Sequence, residues 1–191
     1  MTLRFYSKLT AISAAQLIFA MGLSAQEKVN PQAQVMAKFS ERVAGYLALQ
    51  KQVEGKLPTQ KETNDLERIK VHIATLAVGI RTARADAKSG DIFNGAAEQF
   101  RQIIKQDARS RSVRDAFAAM QEVPNRTRAR VNADYPETAA LATVPPLILN
   151  RLQRLPDGVE YRFMGRDLIL RDTRANLIVD VLHEAVPTVG R

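Results

Sequence analysis

The fold is decided by residues 159–181, whose sequence is VEYRFMGRDLILRDTRANLIVDV. Two short runs, Val159–Met164 and Asp167–Asp172, flank Gly165-Arg166, a two-residue loop of the Gly-X kind that joins the strands of a β-hairpin. A second loop, Thr173–Asn176, leads into a third strand and has an asparagine where a left-handed residue is needed. The stretch therefore predicts a three-stranded antiparallel meander.

Pairing across these loops predicts a register that keeps the apolar side chains on one face. A slip of one residue would put those side chains in water, so the pattern specifies the register strongly. On the apolar face the predicted opposite pairs are Phe163–Leu168, Tyr161–Leu170, Leu170–Val179 and Leu168–Val181. On the other face Glu160 lies opposite Arg171, which is a cross-strand pair of opposite charge.

Upstream of the meander, residues 31–122 are predicted to be helical, because their apolar residues recur every three or four positions. The first helix runs from about Pro31 to Glu54 and ends before Gly55. A second helix starts at a cap among residues 63–65 and ends at Lys88-Ser89-Gly90. The apolar stripe of this second helix consists of Leu66, Ile69, Ile73, Leu76, Ile80 and Ala83.

Two further helices are predicted before the β-rich part begins. Asp91 is expected to cap a third helix, and a fourth runs from about Ser112 to Gln121 before Pro124 stops it. The third helix carries the apolar residues Phe93, Ala97, Phe100 and Ile104.

Beyond Pro124 the period changes from about 3.6 to 2. Arg126, Arg128 and Arg130 alternate with smaller residues, which predicts a strand with a basic face. Residues 146–152 are expected to form one or two short helical turns. The fold class is therefore α+β: about four N-terminal helices packed on a C-terminal antiparallel sheet of three or four strands, with the β-rich part over 126–183.

The first 25 residues have the layout of a secretory signal peptide. Arg4 and Lys8 form a basic start, Leu9–Leu23 is an apolar run of 15 residues, and Leu23-Ser24-Ala25 offers a small-residue cleavage site. The run is shorter than the roughly 20 residues that span a bilayer. We therefore expect cleavage after residue 25, a single domain over 26–191, no transmembrane span after cleavage, and export to the periplasm or beyond.

Composition is consistent with an exported, basic, cysteine-free protein. The 28 Lys and Arg residues outnumber the 20 Asp and Glu residues, for a net charge of +8, and there is no cysteine. The chain can therefore form neither disulfides nor a cysteine-linked lipid anchor. A basic exported protein attracts anionic partners such as head groups, wall polymers or acidic proteins.

Two segments of the chain resemble a family of uncharacterised exported bacterial proteins. The first is AKSGDIF, residues 87–93, which is similar to that family's A-K-x-G-D-I-F segment. The second is LPDGVEYRFMGRDLILRD, residues 155–172, continued by ANLIVD, residues 175–180. The resemblance extends from about Leu57 to Pro187 and implies export and bacterial origin. It brings no activity, ligand or catalytic residue.

No motif of a known catalytic chemistry is present. His183-Glu184 lacks the second histidine that H-E-x-x-H requires, since Pro187 stands there. His72 and His183 are the only histidines, so the chain offers few ligands for a zinc site and few candidate bases for a Ser-His-acid triad. We find no nucleophile elbow, dinucleotide fingerprint or phosphate loop. We therefore predict no metal and no cofactor.

The most prominent cluster of potential binding residues in the sequence is a cluster of basic residues. Eight Lys and Arg residues lie between Arg101 and Arg130, against three acids. The candidate anion-binding residues are Arg126, Arg128 and Arg130, because an arginine fork holds phosphate or carboxylate with two hydrogen bonds. No aromatic residue is interleaved with them, which argues against stacking on nucleic acid bases, and we expect no sequence-specific nucleic acid.

A second polar cluster is predicted near the hairpin. Its members are Arg162, Arg166, Asp167, Arg171, Asp172 and Asp180. Its aspartates are expected to form ion pairs with arginines, Arg174 included, unless one of them is buried in a cleft without an arginine partner, as a hydrolase would need.

Three functions remain open on this basis. The first is a non-enzymatic exported protein that binds an anionic envelope component or an acidic partner. The second is a structural or assembly protein, which predicts an exposed apolar patch around Met36 and Tyr46. The third is a carboxylate-dependent hydrolase.

Overall fold

The protein is described from a computed structural model, which covers residues 30–59, 63–110, 112–115, 117, 128–136 and 144–188. The predicted signal peptide, residues 1–25, lies outside the described residues, as does Arg126. Within these residues, four helices and three strands have bounds that the structure defines. They are α1 (Pro31–Glu54), α2 (Leu66–Ala83), α3 (Ala97–Asp107), α4 (Pro146–Leu149), β1 (Val159–Met164), β2 (Asp167–Asp172) and β3 (Leu177–Leu182). The predicted α+β class is confirmed.

The first helix has the predicted bounds. Asn30 caps it by accepting a hydrogen bond from Gln32 N, and Pro31 suits the first turn because its missing N–H costs no bond there. Asp65 caps α2, and it is one of the three positions predicted for that cap. Gly79 lets α1 and α2 approach closely, since a Cβ at that position would lie 2.5 Å from Val53 Cγ1.

Two predicted helix boundaries are wrong. The second helix ends at Ala83, with Arg84 as its C-cap, and not at Gly90. Asp91 caps no helix, because residues 88–96 form successive turns and α3 begins at Ala97. The physical reason is that backbone N–H groups of this turn segment bind a carboxylate on β3 instead of continuing a helix. In the fourth predicted helix, residues 112–115 and 117 are helical, and its remaining residues lie outside the described part.

The sheet has the order β1-β2-β3, antiparallel throughout. The β1–β2 register is as predicted, with Phe163 opposite Leu168 and Glu160 opposite Arg171. Gly165 has φ 58°, which suits the first position of a type II′ turn. The predicted left-handed asparagine is confirmed as well, because Asn176 has φ 50°.

The β2–β3 register differs from the prediction by one residue. Leu168 lies opposite Leu182 and Leu170 opposite Asp180, because a β-bulge at Val179 interrupts the alternation of β3. Val179 and Val181 consequently belong to different clusters of buried side chains. The prediction assigned both valines to one face because it assumed an uninterrupted strand.

The sheet separates two hydrophobic clusters of unequal size. Its inner face, which carries Tyr161, Phe163, Leu168 and Leu170, packs against the helices. Phe39, Phe93 and Phe100 lie together at centroid distances of 4.9–5.7 Å, and Phe100 contacts Tyr161 at 5.9 Å. The outer face contributes to a smaller cluster, whose buried members are Ala129, Tyr135, Met164, Ile169, Ile178 and Val181.

The predicted basic strand does not form over residues 128–130, which have no regular structure. The chain nevertheless follows the free edge of β3 a few residues later. Asn132 N donates to Ile178 O, and Ile178 N donates to Ala133 O, both at 2.9 Å. Asn132 has φ 63°, so the backbone turns sharply where a continuous strand was expected.

Candidate functional site

The outer face of the sheet brings two arginines onto one carboxylate. Arg162 donates from Nε and Nη2 to the two oxygens of Glu160, at 2.8 Å each. Arg171 donates from Nη1 to Glu160 Oε1 at 2.9 Å, which confirms the predicted cross-strand pair. Side-chain exposures of 18% for Arg162, 29% for Glu160 and 22% for Arg171 show that all three are largely covered. The group carries two positive charges and one negative charge.

The contacts within this group shift the pKa values of Glu160 and Arg162. Burial alone raises the pKa of Glu160, but hydrogen bonds and charge from Arg162 and Arg171 outweigh it, and the net pKa is lowered. The hydrogen bond from Arg162 to Glu160 raises the pKa of that guanidinium. The lowered pKa of Glu160 and the raised pKa of Arg162 both favour the charged forms of this pair.

Tyr135 packs against this group from the segment that follows the edge of β3. The Cζ atom of Arg171 lies 4.4 Å from the centroid of the Tyr135 ring, which is a cation–π contact. Asn176 fixes the backbone of Tyr135, since Tyr135 N donates to Asn176 O at 2.8 Å and Asn176 Nδ2 donates to Tyr135 O at 3.1 Å. Arg171 also donates to Asn176 Oδ1, at 2.7 Å from Nη2.

The hydroxyl of Tyr135 is buried without a hydrogen-bond partner in the described part of the chain. The residue is 2% exposed. Burial raises the pKa of the phenol, and the positive charges of Arg162 and Arg171 oppose that rise. A buried hydroxyl without a partner is costly, so the hydrogen-bonding capacity of this phenol stands out as unused within the described part of the chain.

A groove of about 400 Å³ opens beside the same group, along β1. Glu160 and Arg162 line one side of it, and the exposed Arg154 lines another. The groove also has apolar walls, formed by Val144, Leu149, Leu155 and Val159. We call Arg162, Arg171, Glu160 and Tyr135 the outer-face cluster, and the cavity beside it the β1 groove.

Arg128 and Arg130 lie on the same side of the sheet as the outer-face cluster. Both are exposed, while Ala129 between them is buried in the outer hydrophobic cluster. Neither arginine forms an ion pair with any residue that the structure describes. The larger basic set from Arg101 to Arg130 is divided, because α3, with Arg101 and Lys105, packs on the inner side.

The structure also divides the polar cluster predicted near the hairpin. Arg162 and Arg171 belong to the outer-face cluster. Arg166 donates to Val186 O at 3.0 Å, and Asp167 lies at the hairpin end, where its Oδ2 is 3.0 Å from His183 Nδ1 and its Oδ1 accepts from Glu184 N.

Asp172 and Asp180 face the helices instead, and both are fully buried. Asp172 accepts hydrogen bonds from four groups, which are Tyr46 Oη, Gln50 Nε2, Arg174 N and Ala175 N. Asp180 also accepts four, from the backbone N–H groups of Gly90, Ile92, Phe93 and Val181. The predicted aspartate–arginine ion pairs are therefore wrong for these two residues, whose oxygens are occupied mainly by backbone donors.

A second, larger cleft of about 970 Å³ lies between α1, α2 and the turn after β2. Its acid, Glu54, forms an ion pair with Arg174 and lies 3.8 Å from His72 Nε2. The other charged residue that lines this cleft is Lys51, which is exposed. His72 therefore sits at the boundary of the core, and the charges here largely satisfy one another.

The apolar patch predicted around Met36 and Tyr46 is absent. Tyr46 is buried against Asp172, and Met36 packs partly against the inner core. Exposed large apolar side chains occur on α2 instead, at Val71 (63% exposed) and Val78 (58% exposed). These two residues are one heptad apart and share a helix face.

A scan against protein-family models and searches of curated proteins and of solved structures gave no match. Within the described residues, no three His, Asp or Glu side chains come close enough together to hold a metal ion. In that same part of the chain no helix is long and apolar enough to cross a bilayer.

Sequence reasoning missed Tyr135, the β1 groove and the contribution of Glu160 to the site. Glu160 has a readable signal, since the register predicts it opposite Arg171, but a cross-strand pair of opposite charge by itself indicates only a stabilised sheet. Tyr135 precedes Pro136, and the dipeptide indicates only a break in the chain. Its separation of 36 residues from Arg171 left no local pattern from which to infer their contact.

Proposed function

We propose that this protein is exported and non-enzymatic, and that it binds an anionic component of the cell envelope through the outer side of its sheet. The observation that carries the proposal is the pair of exposed arginines, Arg128 and Arg130, on the same side as Arg162 and Arg171. Four guanidiniums on one side, with Glu160 already shared by two of them, attract anions.

The state of the buried carboxylates supports a binding role over hydrolysis. Asp172 and Asp180 are buried without an arginine ion pair in the described part, which the hydrolase hypothesis required of a catalytic acid. Each, however, is enclosed and accepts four hydrogen bonds, so neither faces a cleft where a substrate could reach it. Their role is to join the sheet to the helical layer.

The proposal is tested by co-sedimentation with phosphatidylglycerol vesicles and by titration with a soluble glycerol-phosphate polymer. We expect binding that weakens as salt rises, and a loss of roughly tenfold or more on substituting Arg126, Arg128 and Arg130 by Glu. The matched control substitutes Lys56, Arg68 and Lys70 by Glu, which changes the net charge equally on exposed positions elsewhere. Equal losses in both variants, or no binding by the unmodified protein, would contradict the proposal.

A structural or assembly role is the second candidate, and the exposed face of α2 favours it. Thr75 and Thr82 donate their hydroxyls to Val71 O and Val78 O, at 2.7 and 3.0 Å, so their methyl groups extend the uncharged surface around the two valines. Sedimentation velocity distinguishes the candidates, because a monomer at high protein concentration would leave the assembly role without support.

A further inference from the structure

We propose that Arg162, Arg171 and Tyr135 form a subsite for one oxyanion group, a phosphodiester or a carboxylate, of the anionic ligand. The inference deepens the proposed function and rests on it for the identity of the ligand as an envelope component. It adds the chemical group that is recognised and the atoms that recognise it.

The two guanidiniums retain donors that Glu160 does not use. Arg162 binds Glu160 through Nε and Nη2, which leaves Nη1 without a partner among the described residues. Arg171 uses one hydrogen of Nη1 for Glu160 and one of Nη2 for Asn176, so each of these nitrogens has a second N–H. Glu160 and Asn176 also hold both forks in place, so that little side-chain entropy is lost when an anion binds.

The charge balance favours a group with a single negative charge. Glu160 neutralises one of the two guanidiniums, and the cluster retains a net charge of +1 in a largely covered position. A monoanionic oxyanion completes the neutralisation, whereas a second full charge would be left unpaired in a place where solvation is poor.

The hydroxyl of Tyr135 supplies a donor that nothing else in the described chain uses. The Tyr135 ring packs on Arg171, whose Cζ lies 4.4 Å from the ring centroid, and Arg171 and Arg162 share Glu160, so the phenol belongs to the same cluster of side chains. A hydroxyl donates readily to a charged oxygen, and an anion held by the arginines would satisfy it. The ring beneath Arg171 limits how that guanidinium can turn.

The β1 groove gives the rest of the ligand a place to lie. It begins at Glu160 and Arg162 and continues between Arg154 and an apolar wall that includes Leu149 and Leu155. A ligand that presents its oxyanion to Arg162 can therefore extend along β1 without displacing a described residue.

The subsite is tested with two small probes, dimethyl phosphate and acetate, which represent the two oxyanion sources. Chemical shifts of the arginine Nε–H groups are followed in titrations of the unmodified protein and of Tyr135→Phe, Arg162→Lys and Glu160→Gln. We expect saturable shifts at Arg162 and Arg171 with at least one probe. Tyr135→Phe should weaken that binding roughly tenfold, and Glu160→Gln should strengthen it by freeing donors and adding net positive charge.

Tyr46→Phe is the matched control, because the Tyr46 hydroxyl donates to Asp172 on the inner side at 2.5 Å and should not affect the probes. Response to dimethyl phosphate alone assigns a phosphodiester, and response to acetate alone assigns a carboxylate. The inference is overturned if neither probe gives saturable shifts, or if binding is unchanged in Tyr135→Phe. In either case an ordered water would be the hydrogen-bond partner of the Tyr135 hydroxyl.

Failure of this inference is distinguishable from failure of the proposed function. If vesicles and polymer bind through Arg128 and Arg130 but neither probe binds the cluster, only the subsite is wrong. If a probe binds and its affinity falls in Tyr135→Phe, while vesicles and polymer do not bind, the subsite stands and the envelope ligand is wrong.

Discussion

The carboxylate of Asp180 is the acceptor that organises the turn segment before α3. Its two oxygens accept from the N–H groups of Gly90, Ile92, Phe93 and Val181, at 2.6–2.9 Å. Burial raises the pKa of this carboxyl, and the four amide donors oppose the rise. A single side chain thus satisfies donors that would otherwise be buried without partners between the sheet and the helices.

Asp180→Asn should lower the free energy of unfolding by about 2–4 kcal/mol, because one oxygen becomes an NH₂ group that faces backbone donors and cannot accept from them. Urea unfolding followed by circular dichroism measures the loss. Asp157→Asn is the control, since Asp157 is exposed in a turn and should change stability by less than about 0.5 kcal/mol. A similar small change in Asp180→Asn would mean that these amides find other acceptors.

Among the elements, β3 contains the bulge at Val179. This bulge lets Asp180 face the helices while the strand on either side keeps its alternation of inward and outward side chains. Ile178 and Val181 face outward, while Val179, Asp180 and Leu182 face the helices. Without the extra residue, the same alternation would continue from Ile178 directly to Asp180. The bulge therefore adds one buried valine and changes no other side chain's face.

Deletion of Val179 should consequently leave a folded protein that is less stable by roughly 2–4 kcal/mol, the cost of one lost buried side chain and its cavity. Deletion of Val181 removes the same residue type but moves Leu182 to the outward face, and we expect that variant not to fold. Circular dichroism and thermal melting of the two deletions test this contrast. Equal behaviour of the two would contradict the assignment of the bulge to Val179.

These elements show what a sequence can specify. The hairpin register was predictable because Gly165-Arg166 fixes the loop and the apolar alternation is unbroken on both sides. The bulge was not, because it accompanies hydrogen bonds that Asp180 accepts from amide donors about 90 residues upstream, and an alternation with a period of two gives no information on those donors. The alternation at Arg128 and Arg130 predicts a strand with a basic face; both arginines are exposed, but the backbone there is not a strand.

The same limit applies to the candidate site. The Glu160–Arg171 pair followed from local register, and so did the outward direction of Arg162. The contribution of Tyr135 depends on how the chain returns along β3, which long-range hydrogen bonds of Ile178 and Asn176 determine. Such long-range contacts cannot be predicted from the spacing of apolar and polar residues within either segment.

At the scale of the whole molecule, the inner hydrophobic cluster joins the helical part to the sheet. Phe100 of α3 contacts both Phe39 of α1 and Tyr161 of β1, at centroid distances of 4.9 and 5.9 Å. Neither part buries its apolar face without the other, so the two should unfold together.

We therefore expect one transition on heating, with coincident midpoints for the helical signal in far-ultraviolet circular dichroism and for tyrosine fluorescence. Tyr46 and Tyr161 report on α1 and the sheet, and their environments are lost only when the inner cluster opens. Midpoints that differ by more than the experimental error would indicate that helices and sheet are separate units.

Several buried polar groups of the helical half have their acceptors on the strands of the sheet, 87 to 126 residues downstream. Tyr46 and Gln50 donate to Asp172, and Gly90, Ile92 and Phe93 donate to Asp180. During synthesis the ribosome releases these donors long before it releases either aspartate. The helices emerge without the groups that satisfy them, and the helical half completes its structure only after the strands that carry Asp172 and Asp180 have been synthesised.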